Sequence, residues 1–196
     1  KPIFLLTVLL GCIACACLGV TTHWLWFLGI FILAKVGFHS SIVFYDSMLP
    51  EITTDERMDN VSSLGYAFGY IGSVIPFVIC LVLVLMCDKF GMTMGQAMTV
   101  AFLVTAVWWA IFSIPLLKKY KQTAFVEKNG SRMADTFRQL YRTFKDAKKE
   151  KHIFLYLIAF FFFINGVYTI IDMATAYGSA LGLDSTGLLL ALLVTQ

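Results

Sequence analysis

The 196 residues of this chain are 59% hydrophobic and 14% charged, with a net charge of +3 and a mean hydropathy of +0.81. Soluble domains carry about 25% charged residues. The composition therefore excludes a water-soluble globular domain and indicates an integral membrane protein.

Five apolar runs approach the roughly 20 residues that a helix needs to cross a hydrocarbon core about 30 Å thick. They cover residues 3–20, 24–46, 66–86, 97–117 and 153–172, and a sixth run covers 187–196. The runs lack the alternation of barrel strands, and a helix pairs its own backbone groups in lipid. We predict an all-α, polytopic helical membrane protein. Because the chain begins at Lys1 and stops inside an apolar run, we expect a fragment of a longer protein.

The first run contains a C-x-x-C pair, Cys12 and Cys15, and all five cysteines lie within or at the end of apolar runs. A dithiol or zinc site needs accessible thiolates, which apolar surroundings disfavour. We expect small packing residues, and we predict no metal and no cofactor.

The second run carries ionisable residues, whereas the first and fourth runs carry none. Lys35 is near its middle, His39 lies one turn further on, and Asp46 is near its end. At about 100° per residue, the three fall within roughly 40° of one another on a helix. Charges at bilayer depth are costly unless they face protein or water.

Several interpretations of this polar stripe stay open. Lys35 is a charge in a solute or proton pathway, a structural partner for an acid on another helix, or a side chain that snorkels to the interface. His39 is a proton relay or a hydrogen-bonded packing residue. Asp46 is a gate at the helix end or a salt-bridge partner for the next loop.

The third run opens with a small-residue face formed by Gly65, Gly69, Gly72 and Ser73. Glycines at this spacing allow helices to approach closely, either in static packing or in a sliding contact between moving bundles. Just before the run, Thr53 to Glu56 matches a capping box, which predicts a short helical turn.

A basic stretch, residues 118–151, separates the fourth and fifth runs. It holds eleven of the fifteen lysines and arginines and four acids, a net charge of +7. Positive charge near span ends stays in the cytoplasm, so we place this stretch and the 47–65 loop inside and Lys89 outside.

Within the basic stretch, apolar residues recur at helical spacing and predict an amphipathic helix over residues 131–149. They are Met133, Phe137, Leu140, Tyr141 and Phe144. One interpretation is a helix on the membrane surface that links two bundles. The other is that the charges fix topology while the aromatic residues pack on neighbouring loops. No recognition motif is present, so we expect membrane lipid and no nucleic acid as a partner.

The fifth run has hydrogen-bonding residues on one face: Asn165, Tyr168, Thr169 and Asp172. We assign the opposite face to Phe161, Phe162, Phe163, Ile164, Ile170 and Ile171. The pattern predicts either a helix that borders a wet cavity or an interhelical seam of hydrogen bonds, worth about 1 kcal/mol each.

Two stretches carry a family resemblance: FYDSMLPEI at residues 44–52 and VSSLGYAFGYIGS at residues 61–73. They resemble the vacuole-effluxer-like (autophagy-related effluxer) branch of the major facilitator superfamily, which reads F-Y-[ND]-[AS]-x-L-P-E-I and then V-S-x-x-G-[FY]-x-x-G-Y-x-G. NGVYT at residues 165–169 is similar to the motif of its seventh helix. Many relatives carry an acid at the position of Asn165, so we shift the protonatable role to Asp172.

The resemblance implies helices 3 to 7 and the start of helix 8 of a twelve-helix transporter. Residues 1–117 would end the first six-helix half, residues 118–152 would be the cytoplasmic linker, and residues 153–196 would start the second half. It also implies that helices 4 and 7, here the second and fifth runs, line the central cavity.

We therefore hypothesise a secondary active transporter for a small polar solute, coupled to a proton or ion. The expected pathway residues are Lys35, His39, Asn165, Tyr168 and Asp172. The resemblance implies an amino acid or related metabolite as solute, and a bacterial cytoplasmic membrane, or a vacuolar one in a fungus. The alternative is a helical channel or membrane receptor without coupled transport. We do not expect an enzyme, since the spans show no paired acids and no nucleophile beside a base.

Overall fold

The computed structural model describes residues 2–121 and 133–195, with side chains in the second range from residue 137 onward. The described chain is helical, with no strand in either range. The helices are α1 (Pro2–Leu18), α2 (Trp24–Ile52), α3 (Met58–Leu85), α4 (Met94–Lys119), α5 (Met133–Lys149), α6 (Lys151–Ala180) and α7 (Ser185–Thr195), with a 3-10 turn at Asp55–Arg57. The predicted all-α fold class is confirmed.

Within the described ranges, four helical segments are long and apolar enough to cross a membrane: α2, α3 with the turn before it, α4 and α6. The other apolar helices, α1 and α7, have 17 and 11 residues. The protein is thus an integral membrane protein with several spanning helices.

Helices α2, α4 and α6 extend beyond the ends of the apolar runs that predict them, whereas α1 ends at Leu18, two residues before the end of its run. Helix α2 continues through Pro50 to Ile52, six residues past the expected end, because Met48 is buried against Phe4 and Val8 of α1. Helix α6 continues to Ala180, eight residues past the predicted span. Hydropathy marks the part inside hydrocarbon, whereas packing and capping set where a helix ends.

The capping box predicted at Thr53 to Glu56 does not form. Thr53 ends α2 with its backbone N–H donating to the Leu49 carbonyl at 3.3 Å, and Thr54, before the 3-10 turn, makes no side-chain cap. A capping box starts α4 instead. There the Thr93 hydroxyl accepts from the Gln96 N–H at 3.3 Å, and the Gln96 amide oxygen accepts from the Thr93 N–H at 2.9 Å.

The chain divides into two compact units, residues 1–124 with 191–196 and residues 125–190. In the first unit α1 packs against α2 and α4, and α3 packs against α4. In the second unit α5 packs against α6. A Cβ on Gly178 of α6 would meet the Leu188 side chain at 2.6 Å, which shows how closely that glycine lies against the first turn of α7.

Helix α1 is the packing centre of the first unit because glycines remove side chains where helices meet. A Cβ on Gly37 of α2 would lie 2.7 Å from the backbone nitrogen of Gly11. On its other side Gly11 lies against the Trp109 ring of α4. Near the end of α1, the Thr99 hydroxyl donates to the Gly19 carbonyl at 2.7 Å. Close backbone approach therefore holds α2 and α4 on either side of α1.

Three of the cysteine thiols of the first unit, those of Cys12, Cys15 and Cys80, lie at contacts between helices. Cys12 belongs to the buried cluster of α1. The Cys15 thiol is 3.7 Å from the Phe102 carbonyl oxygen, and the Cys80 thiol is 3.6 Å from that of Ala101. These distances are those of small side chains that fill space between helices.

Candidate functional site

The polar stripe of α2 points away from the helices that pack on α2. Lys35 is half-buried, whereas His39 and Asp46 are exposed. The buried residues of α2 are Gly37, Ser41 and Met48. At about 100° per residue, Lys35 and Gly37 lie about 160° apart around the helix axis. The first unit therefore leaves the charged face of α2 uncovered by α1 and α4.

Lys35 and His39 line one shallow cavity of about 340 Å³ on this face of α2. The Lys35 ammonium is 5.7 Å from the centre of the Phe31 ring, a distance at which a cation is attracted to an aromatic face. The His39 ring stands edge-on to Phe38, with centroids 5.5 Å apart. Ile32, Val36 and Ser40 complete the lining. A cation and an imidazole one turn apart, beside an apolar wall, suit a small solute that carries an anionic group.

The glycine face of α3 is open in the described part of the chain. A Cβ on Gly69 or Gly72 would meet no atom within 4 Å, and one on Gly65 would meet only the Tyr45 hydroxyl, at 3.5 Å. The close helix contacts of the first unit involve glycines of α1 and α2 instead. The packing or gating role of Gly65, Gly69, Gly72 and Asp46 stays a prediction.

The polar residues of α6 lie within an arc of about 100° on the helix. The Asn165 amide donates to the Phe161 carbonyl at 2.7 Å, and the Thr169 hydroxyl donates to the Asn165 carbonyl at 2.8 Å. Tyr168 is 51% exposed, and Asp172 is also exposed. Asn165 thus uses one N–H within its own helix and retains its amide oxygen and second N–H for another group.

Two assignments on α6 are wrong. Phe161 precedes Asn165 by four residues and Phe162 precedes Thr169 by seven, so both lie beside the polar residues rather than opposite to them. Phe163, Ile170 and Ile171 do lie on the other side, with exposed fractions of 67%, 71% and 59%. An apolar face this open is suited to contact with lipid.

The site residues fall into two groups in the structure. Lys35, His39 and Asp46 belong to the first unit, where Lys35 and His39 share one cavity. Asn165, Tyr168 and Asp172 belong to the second unit, on one face of α6. Each group is an array of polar side chains on an otherwise apolar helix.

A hydrogen bond between Tyr120 and Glu51 joins the ends of α4 and α2, and the sequence does not predict it. The Tyr120 hydroxyl donates to the Glu51 carboxylate at 2.8 Å. This hydrogen bond raises the pKa of the Tyr120 phenol above its usual value, since the proton is held by the carboxylate. Both residues line a cavity of about 300 Å³, together with Pro2, Ile3, Phe4, Phe44, Ser47 and Met48. The only hint in the sequence is an acid that ends the FYDSMLPEI stretch.

Comparison with known proteins finds a family that matches this chain. The family described as "Vacuole effluxer Atg22 like" matches residues 1–196. An uncharacterized MFS-type transporter of Bacillus subtilis, YxiO, is 39% identical over 176 residues, which is 89% of this chain and 41% of that protein. No solved structure matches the chain.

Fungal proteins are also similar to this chain, at lower identity. Autophagy-related protein 22-1 of Sclerotinia sclerotiorum is 28% identical over 123 residues, 56% of this chain and 21% of that protein. Autophagy-related protein 22 of Yarrowia lipolytica is 28% identical over 141 residues, 60% of this chain and 23% of that protein. The chain spans about two-fifths of the length of the bacterial relative and about one-fifth of that of the fungal ones.

Proposed function

The chain belongs to the vacuole effluxer Atg22-like family of MFS-type transporters, and from that premise we propose that the protein is a secondary active transporter. It moves a small polar solute across a membrane by alternating access. Membership confirms the resemblance of residues 44–52 and 61–73 to this family.

The observation that carries the proposal is the pair of polar faces on α2 and α6. Both helices are long and apolar enough to span a bilayer, yet each exposes ionisable side chains along one face. Ionisable residues within a span mark solute or ion pathways when they face protein or water. The packed side of α2 lies opposite its charged face, which supports a role for that face outside the packing of the first unit.

Each polar residue has a proposed role. Lys35 binds the anionic group of the solute, while Phe31 and its apolar neighbours contact the solute's carbon skeleton. His39 donates a hydrogen bond or carries a proton. On α6, Asn165 and Tyr168 offer hydrogen bonds, and Asp172 binds a cationic group or the coupling proton.

An amino acid or related metabolite is the proposed solute class. A zwitterion such as an amino acid carries an anionic carboxylate, which matches the charge of Lys35 on α2. The family description as a vacuole effluxer is in keeping with export of small metabolites.

We place the protein in a bacterial cytoplasmic membrane, with residues 118–151 on the cytoplasmic side as the linker between the transporter's two halves. The bacterial relative is matched over 89% of this chain, whereas the fungal ones are matched over 56% and 60%. The charge of residues 118–151 supports the orientation.

Replacing Lys35 by Met tests the pathway. We expect uptake of radiolabelled amino acids into proteoliposomes by the full-length protein to fall about 10- to 100-fold, because a hydrogen bond to a charged group is worth about 1.5–3 kcal/mol. Lys89→Met, which removes a cation from the loop between α3 and α4, is the control and should transport normally. Unchanged flux in a well-folded Lys35→Met protein would contradict the site assignment.

A further inference from the structure

Helix α5 carries an exposed apolar face that is narrow and continuous. Phe137, Leu140, Tyr141 and Phe144 lie within an arc of about 100° on the helix. Their exposed fractions are 67%, 61%, 68% and 58%. Side chains of this size are not left open to water over a whole helix face without a partner surface.

A basic face lies directly beside the apolar one. Arg138, Arg142, Lys145 and Lys149 fall within an arc of about 60°, and all four are exposed. Lys149 forms an ion pair with Asp146 at 2.6 Å, in which the two side chains are 68% and 66% exposed. An ion pair so exposed to solvent is weak. Lys149 can therefore leave Asp146 and bind another anion.

The chain bends sharply between α5 and α6. Glu150 has φ −87° and ψ 89°, outside the helical range, and it is the one residue between the two helices. Residues ten apart in a continuous helix are separated by about 15 Å along its axis. The rings of Phe144 and Phe154 are instead 6.0 Å apart, edge to face. Helix α5 therefore leaves the axis of α6 where that membrane-spanning helix begins.

The contact between Phe144 and Phe154 also shows which side of α5 faces the start of α6. Phe144 belongs to the apolar face of α5, and Phe154 lies in the first turn of the spanning helix α6. The apolar face is thus turned toward the bilayer end of α6. The neighbouring basic face is then placed at the height of the lipid headgroups.

From this arrangement we propose that α5 docks on the bilayer surface and binds anionic phospholipid headgroups through Arg138, Arg142, Lys145 and Lys149. Its aromatic face enters the boundary between headgroups and acyl chains, as amphipathic helices with a basic polar face do. Negative surface potential attracts basic residues that lie next to a membrane span. The proposal concerns the lipid partner of the linker and does not depend on which solute is transported.

The test is hydrogen exchange of residues 133–149 in the full-length protein, reconstituted in nanodiscs. Discs of phosphatidylcholine alone are compared with discs that also contain phosphatidylglycerol. Each basic residue near an anionic surface is worth about a factor of five in binding, so we expect exchange to slow by more than about tenfold in the anionic discs. High salt should remove the difference, because 1 M salt screens charges beyond about 3 Å.

Two double variants with equal changes in net charge separate the lipid contact from a general charge effect. Arg138→Gln with Arg142→Gln removes two of the four charges of the basic face and should remove most of the dependence on lipid charge. Gln139→Glu with Thr143→Glu changes the net charge by the same amount on the other side of α5. This variant should keep most of the dependence of exchange on lipid charge. Equal exchange in the two kinds of disc would overturn the proposal. So would equal protection in micelles of an uncharged detergent, which would show that anionic headgroups are not needed to protect α5.

Discussion

Gly37 and Gly11 set how closely α1 and α2 approach each other. Alanine at position 37 would place a Cβ 2.7 Å from the Gly11 nitrogen, a clash with backbone that no side-chain rotation relieves. Overpacking of this kind costs about 1–3 kcal/mol. We expect Gly37→Ala to lower the melting temperature of the purified protein.

Gly29 provides the matched control for this prediction, since it lies in the same helix and a Cβ there would meet nothing within 4 Å. Gly29→Ala should keep or raise the melting temperature because alanine favours the helix. Equal melting temperatures for the two variants would contradict the close contact.

Tyr120 provides a prediction about pH. Its hydrogen bond to the Glu51 carboxylate raises the phenol pKa above its ordinary value near 10. The stabilisation is therefore fully present below pH 10 and is lost as pH rises through the raised pKa. The difference in ultraviolet absorbance between the parent protein and Tyr120→Phe isolates this titration. Glu51→Gln should move it back toward the ordinary value, and an unchanged titration would exclude the carboxylate as the cause.

At the scale of the element, α6 divides into a polar face and an apolar one, and thiol labelling can tell whether water reaches them equally. Asp172→Cys and Ile170→Cys lie two residues apart and about 160° apart around the helix. In a background without the native cysteines, we expect Asp172→Cys to react with a membrane-impermeant maleimide more than about tenfold faster, because the reactive thiolate is disfavoured in hydrocarbon. Similar rates would show that this face of α6 does not border water.

The elements also show what sequence could predict. Long apolar runs and polar residues at helical spacing are local patterns, so the spanning helices and the polar faces of α2 and α6 follow from the sequence. The ends of the helices cannot be predicted in this way, because the end of α2 depends on Met48 packing against Phe4 and Val8. The central position of α1 could not be predicted from the sequence either. It depends on contacts between glycines and residues that are far apart in the chain.

The Tyr120–Glu51 contact is a similar case at the site. It joins residues 69 positions apart in the chain, and neither residue belongs to a periodic pattern. The errors at Phe161 and Phe162 have a different origin, since residues four or seven apart share a helix face and the sequence alone sufficed to place them.

For the whole molecule, family membership and an uneven distribution of charge support the proposed transport cycle and its orientation in the membrane. Eleven of the fifteen lysines and arginines lie in residues 118–151, which supports the proposed orientation. The chain spans 41% of the length of its bacterial relative. Transport is therefore measured with the full-length protein.

Counterflow in proteoliposomes tests most directly whether this protein is an alternating-access transporter. Vesicles containing the full-length protein are loaded with an unlabelled amino acid that the protein transports and diluted into a trace of the same labelled compound. Alternating access predicts a transient accumulation of label above its external concentration, because unlabelled solute leaving the vesicle returns the binding site to the outside. A channel would let the label rise only to equilibrium, and that result would contradict the account.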